Sequence, residues 1–301
     1  MGHYGLPEKI NAKDFQEPPP KENILKGAEP IFLEGKSKTA FLMIHGFEDS
    51  PFSLRPLAEI MHNLGHTVIA PLLPGHGTSI KDFRKTRYEH WYEAVRSIYK
   101  SKRDLYDKFF IVGFSMGGNL SLKLAAEFSD KKSPSGMILI STPAFLNGFA
   151  DGRLIIKNPF LILSGIIKYI LPYIPKKSDQ LGQGLISPWV GYYEATTTAC
   201  AHSFKINIGK VRKEMKKIKC PLFLVHATND KTIPAVNLHY ILRKVSSKEK
   251  RAFMFEIDED ISTRHALITH EQIRDKVYNY IIKFVEDTMV NFDLRLRLSK
   301  K

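Results

Sequence analysis

Ser115 stands between two glycines in Gly113-Phe114-Ser115-Met116-Gly117-Gly118 and is the side chain best placed to act as a nucleophile. Residues 108–112 before it are β-branched and aromatic, and residues 119–127 after it favour helix, so the serine falls at a strand-to-helix turn. Such a turn strains the backbone and presents the hydroxyl, while the flanking glycines remove side chains that would crowd it. A bare glycine-rich turn has the same pattern. The strand and helix on either side favour the nucleophile.

A serine hydroxyl is weakly nucleophilic at neutral pH. It needs an imidazole to take its proton and a carboxylate to fix the tautomer of that imidazole. Where strands and helices alternate, both partners come later in the chain, each from the carboxyl end of a different strand. Residues 222–226 read as a strand whose following loop delivers Asp230, and a capping or turn role is the bland alternative for that aspartate. Residues 251–257 read as the next strand, and the loop 258–264 delivers His265 before a final amphipathic helix. His270 is the runner-up base, expected at the start of that helix, where capping or exposure would explain it. An attacked ester carbonyl also requires N–H donors for its developing oxyanion. The backbone amides of Met116, after the nucleophile, and of Phe47, in the loop His45-Gly46-Phe47-Glu48-Asp49, are the candidates. His45 and His76 are expected to bind loops rather than react.

These residues require a scaffold that brings loop tips together. Strands are expected at 29–34, 39–45, 67–70, 108–112, 137–141, 222–226 and 251–257, with helices at 52–64, 88–105, 235–245 and 271–287 and after the serine turn. That alternation predicts an α/β fold, a mainly parallel sheet covered by helices on both faces. Residues 29–142 and 220–288 make the core. Residues 143–219 break the rhythm and are too long for a structureless loop, so they are expected to form a mostly helical cap over the carboxyl edge of the sheet. Its apolar residues, Ile162, Ile166 and Ile170 among them, are expected to line an acyl pocket. Residues 1–28 read as an extended arm. Residues 289–301 read as a basic tail that adds a strand or stays loose.

The chain has 301 residues, 43% of them apolar, enough for one large α/β domain. Its two cysteines, Cys200 and Cys220, give no disulfide framework and are expected to be free thiols of a reducing, cytoplasmic setting. No secretory leader or membrane span is expected from the sequence. The net charge of +14 suits peripheral contact with an anionic membrane, while its spread along the chain and the lack of a recognition motif speak against nucleic acid.

The His45-Gly46-Phe47 loop, the stretch Gly65-His66-Thr67-Val68-Ile69-Ala70-Pro71, the serine turn, the Asp230 loop and His265-Ala266-Leu267 together resemble the α/β-hydrolase superfamily. Within it the chain is similar to the small carboxylesterases and monoacylglycerol lipases. The resemblance implies hydrolysis of a small ester or lipid through an acyl-enzyme, with no metal and no organic cofactor. It implies Ser115 as nucleophile, Asp230 as orienter, His265 as base, and Phe47 and Met116 as oxyanion donors. Lysophospholipid hydrolysis or acyl transfer would use the same residues, and a catalytically silent ligand-binding protein is the reading from another class. Two positions depart from the family pattern: Arg264 stands where a small residue usually precedes the histidine, and Glu48-Asp49 replace Thr-Gly after the oxyanion phenylalanine.

Overall fold

Seven strands form one sheet in the order β1 (Ile31–Leu33), β3 (Thr67–Ala70), β2 (Thr39–Ile44), β4 (Lys108–Phe114), β5 (Gly136–Ile140), β10 (Leu222–Ala227), β11 (Lys250–Phe255). Only β1 runs antiparallel, against β3; every other neighbouring pair is parallel. The computed structural model describes residues 23–130, 132–150, 153–156, 161–176, 186–192 and 194–299; for 147–150, 153–156 and 295–299 it describes the backbone alone. Most of the arm 1–28 therefore lies outside the described residues.

The central strands read as continuous apolar runs because both faces are covered. Along β2 and β4, Leu42, Ile44, Phe109 and Ile111 face one side, against α3 (Tyr88–Lys102) and α4 (Met116–Glu127). Phe41, Met43, Phe110 and Val112 face the other, against α1 (Arg55–Asn63) and the C-terminal helix α8 (Arg274–Ser299). Each such aliphatic or aromatic side chain buried contributes about 1.5–3 kcal/mol. This is why the strands stay rigid up to the loops they present. α2 (Ile80–Lys85), capped by Ser79, and α7 (Val236–Lys244) complete the core.

The excursion between β5 and β10, expected as a mostly helical cap, carries short strands as well as helices among its described residues. It contains two hairpins, β6 (Asn147–Ala150) with β7 (Arg153–Ile156) and β8 (Tyr173–Pro175) with β9 (Ala195–Thr197), besides α5 (Ser164–Ile170) and α6 (Thr198–Glu214). The hairpin strands are only three or four residues long, too short for a period of two to stand out. α6 anchors the cap by burying Cys200, Phe204, Ile208 and Val211 in the core layer of α3 and α4. The C-terminus is also corrected. Among the described residues beyond Asp287 the expected strand or loose segment is replaced by helix, because α8 continues unbroken to Ser299. No described helix is long and apolar enough to cross a membrane.

Candidate active site

Ser115 follows directly on β4 and has φ 53° and ψ −118°, a left-handed conformation outside the usual range for a serine. The turn is held because its amide donates to the Ile140 carbonyl at 2.9 Å and because helix and strands meet without intervening side chains. A Cβ on Gly117 would lie 1.9 Å from the Ile44 carbonyl oxygen, and one on Gly113 would lie 2.5 Å from that of Gly117. Glycine is therefore required at both places. Among the described residues, Glu48, Ser115, Ser141 and Arg264 are the non-glycine residues with positive φ. All four belong to the loops around this site, and sparsely populated backbone conformations of this kind cluster at functional positions.

His265 Nε2 is 2.8 Å from Ser115 Oγ, and His265 Nδ1 is 2.7 Å from Asp230 Oδ2. The sheet order explains the meeting, since β4, β5, β10 and β11 are successive neighbours and their carboxyl ends release the three loops on one edge. Asp230 is 5% exposed. Its Oδ1 accepts the amides of Thr232 at 2.7 Å and Ile233 at 2.9 Å, leaving Oδ2 for the imidazole. Burial alone would raise this carboxyl, but the adjacent His265 and the hydrogen bond from His226 hold it well below the ordinary carboxylate range.

The histidine loop is braced from below. Glu259 accepts the amides of Ile261 and Ser262 and the Ser262 hydroxyl, and lies 3.1 Å from His270 Nε2. Burial opposes ionisation of Glu259, yet these donors bring it down to about 2. Arg264 reaches back to the Glu259 carbonyl at 2.5 Å and to the Asp260 carboxylate. The large residue in place of a small one is thus a strut for the loop, held at φ 56°. His270 is fully buried rather than exposed; its Nδ1 accepts the Gln272 amide at 3.3 Å in the turn that leads into α8, the capping role open to it from sequence, and its Nε2 pairs with Glu259 away from Ser115.

Sequence reasoning passed over His226 and Ser141. His226 Nε2 lies 3.1 Å from both Asp230 Oδ2 and the Ile233 carbonyl, making it a second donor to the acid. The Ser141 hydroxyl donates to the His265 carbonyl at 2.7 Å. His226 lies four residues before Asp230 on the strand that carries it, and that proximity was the available signal; Ser141 had none.

The loop after β2 packs against the nucleophile, since a Cβ on Gly46 would sit 3.4 Å from that of Ser115. Phe47 stacks its ring on Phe204 at 5.8 Å, and Met116 opens α4, so both amides belong to backbone fixed beside Ser115. Behind the loop, His45 Nε2 accepts the Leu73 amide and Nδ1–H donates to the Gly46 carbonyl, the loop-binding role read from sequence. Burial depresses His45 to about 4 and keeps it neutral. Asp49 accepts the Gly46 amide at 3.2 Å and the Ser53 hydroxyl at 2.7 Å; burial pushes its carboxyl up to about 6.

A cavity of about 350 Å³ opens at Ser115 and His265, with Phe47, Leu146, Leu161, Ile174, Phe204 and Ile233 as its apolar wall and Glu48, Lys176 and Thr196 as a polar cluster. The expected pocket residues Ile162, Ile166 and Ile170 are not in it; they are 51%, 65% and 78% exposed. They fall at i, i+4 and i+8, one stripe on α5 and the residues before it, and that stripe faces outward. Leu161 and Ser164 face in instead.

The alpha/beta hydrolase family model matches residues 41–257. A thermostable monoacylglycerol lipase of Bacillus sp. (strain H-257) is 30% identical over 233 residues, 75% of this chain and 84% of that protein. A carboxylesterase of Bacillus subtilis (strain 168) is 26% identical over 259 residues, 86% and 96% of the two chains. In three dimensions the chain is similar to a metagenome-derived lipolytic enzyme, with a TM-score of 0.74 over 88% of this chain and 99% of that one at 21% identity. By sequence match and by architecture, the chain belongs to the α/β-hydrolase family.

Proposed function

We propose that this protein hydrolyses carboxylic esters with an apolar acyl group, in the manner of a carboxylesterase or monoacylglycerol lipase, through an acyl-enzyme on Ser115. The observation that carries the reading is the relay from Asp230 Oδ2 through His265 to Ser115 Oγ, with links of 2.7 and 2.8 Å. His265 removes the hydroxyl proton as Ser115 Oγ attacks the ester carbonyl, and ionised Asp230 stabilises the imidazolium that results. The oxyanion takes hydrogen bonds from the amides of Phe47 and Met116. Collapse of the tetrahedral intermediate expels the alcohol, which takes its proton from His265. Water activated by the same imidazole then releases the acid. The apolar cavity wall supports an acyl chain as the group retained on the enzyme. The names of the two curated relatives point to the same substrate class.

The test is an ester panel varying acyl length and alcohol, run on the wild type and on Ser115→Ala. Turnover that falls at least about 1,000-fold in the variant supports the reading. Turnover that survives overturns it.

A lipid-surface contact belongs to the same proposal. Ile166, Tyr169 and Ile170 are 65%, 81% and 78% exposed on α5, beside cavity residues Leu161 and Ser164. Arg84, Arg87, Lys168 and Lys210, with Glu89 as the one carboxylate among them, line an adjoining groove of net positive charge. An apolar face rimmed by cations fits an anionic bilayer. Sedimentation with phosphatidylglycerol vesicles, and not with phosphatidylcholine vesicles, is expected to carry the wild type down, and Ile166→Ser with Ile170→Ser to release it. Equal sedimentation of both proteins contradicts the assignment.

A further inference from the structure

Two buried carboxylates follow Phe47 in the chain, and they are answered from different directions. Asp49 finds its partners within its own loop, at the Gly46 amide and the Ser53 hydroxyl. Glu48 finds its partners in the cap, up to 149 residues further on. Lys176 Nζ is 2.7 Å from Oε2, the Thr196 hydroxyl donates to Oε2 at 2.8 Å, and the Thr197 amide donates to Oε1 at 3.3 Å. The Tyr192 amide donates to the Glu48 carbonyl at 3.3 Å.

These partners come from both arms of one cap hairpin. Lys176 directly follows β8, and Thr196 and Thr197 lie in β9. Lys176 is itself closed off, donating to the Tyr192 carbonyl and lying over the Trp189 ring at 5.1 Å. The two segments approach so closely that a Cβ on Gly191 would lie 1.9 Å from the Glu48 carbonyl oxygen. Glu48 meanwhile keeps φ at 59°, a conformation that glycine adopts freely and glutamate does not. A glutamate stays there only because its surroundings hold it.

Phe47 is therefore gripped on both sides, by Asp49 acting on Gly46 and by the cap acting on Glu48. We propose that Glu48 and Lys176 form a clasp through which the cap holds the oxyanion loop in its working geometry, which makes Glu48 a positioning residue for the reaction. The inference rests on the esterase reading above. It explains why acidic residues stand in this loop, and it makes turnover depend on the seating of the cap. The rival role is recognition of a substrate's polyol head group, since Glu48, Lys176 and Thr196 also border the cavity.

The experiment compares Lys176→Met, Lys176→Arg and Thr196→Val in the full chain, using p-nitrophenyl acetate, which has no polyol, and a monoacylglycerol. Lys176→Met is expected to lower kcat about tenfold on both esters, with KM within about twofold, because a displaced oxyanion donor weakens the transition state and spares the ground state. Lys176→Arg is expected to recover most of that loss, which a packing defect would not allow. Thr196→Val removes one donor without stranding a buried charge; it keeps the test open if Lys176→Met does not fold, and it is expected to lower kcat about two- to threefold on both esters. A loss confined to the monoacylglycerol and expressed in KM overturns the clasp in favour of head-group binding. Unchanged kcat in all three variants overturns it outright. Failure of the underlying reading is separable, because wild-type turnover would then survive Ser115→Ala.

Discussion

Asp230→Asn keeps the size of the side chain and removes only its charge and one acceptor, yet the surrounding geometry dictates a large effect. Oδ1 accepts two backbone amides, from Thr232 and Ile233, whereas Oδ2 meets one fixed donor, His226, and His265, which can change tautomer, so the asparagine oxygen favours the Oδ1 site. The reverse orientation would set the NH₂ group against two N–H donors and forfeit bonds worth about 1–3 kcal/mol each. The NH₂ group then takes the place of Oδ2, 2.7 Å from His265 Nδ1, and must donate to it. This fixes the His265 proton on Nε2, the atom 2.8 Å from Ser115 Oγ that has to accept the serine proton. Restoring the useful tautomer costs about 2 kcal/mol through those amide bonds. The imidazolium also loses a neighbouring charge worth about 4 kcal/mol at an effective dielectric near 20. Together these correspond to a fall of about 10⁴ in kcat. Initial rates of p-nitrophenyl butyrate hydrolysis, with a far-ultraviolet spectrum to verify folding, measure it. A folded Asp230→Asn protein within about tenfold of the wild type would refute this reasoning.

Asp49 gives a pH signature with a definite sign. Its folded value of about 6 exceeds the ordinary carboxylate value near 4, so between those limits the native state binds more protons than the unfolded chain. Stability owed to this group therefore declines as pH rises through that window, by up to about 3 kcal/mol, and levels off above it. The advantage of Asp49→Asn over the wild type in urea melts should grow by about 2 kcal/mol between pH 4.5 and 7; a constant difference would contradict the burial argument. His265→Ala and His270→Ala should separate cleanly. The first should lower kcat at least about 1,000-fold with little change in stability, and the second should keep kcat within about tenfold while costing about 1–3 kcal/mol, because it leaves Glu259 without its imidazole. The opposite pattern, read by kcat per folded molecule and urea midpoint, would move the base to His270.

What the sequence made legible is what local chemistry encodes. Gly113 and Gly117 around Ser115 mark a turn that tolerates no side chains, and the apolar runs at β2, β4 and β10 mark strands buried on both faces. Asp230 is legible because it follows such a run and His265 because it follows the half-exposed edge strand β11, and the sheet sets the two loops side by side. The cap was less legible. An apolar helical stripe has the same pattern whether it lines a cavity or faces solvent, so the sequence does not reveal that Ile162, Ile166 and Ile170 face outward. The strand character of β8 and β9 rests on pairing between segments about twenty residues apart rather than on a pattern within either. Glu48 and Lys176 are ordinary charged residues until the fold brings them to 2.7 Å. The final helix shows the same limit, since alternating basic and leucine residues at 294–298 suggest a strand by period although α8 continues through them.

The most direct measurement is peptide mapping of the full chain after brief exposure to a fluorophosphonate at neutral pH. The phosphonyl group is expected on Ser115 alone, to be absent in Ser115→Ala, and to form at least about 1,000-fold more slowly in His265→Ala. An adduct on any other residue, or equal labelling with and without His265, would contradict the central claim that this imidazole activates this hydroxyl.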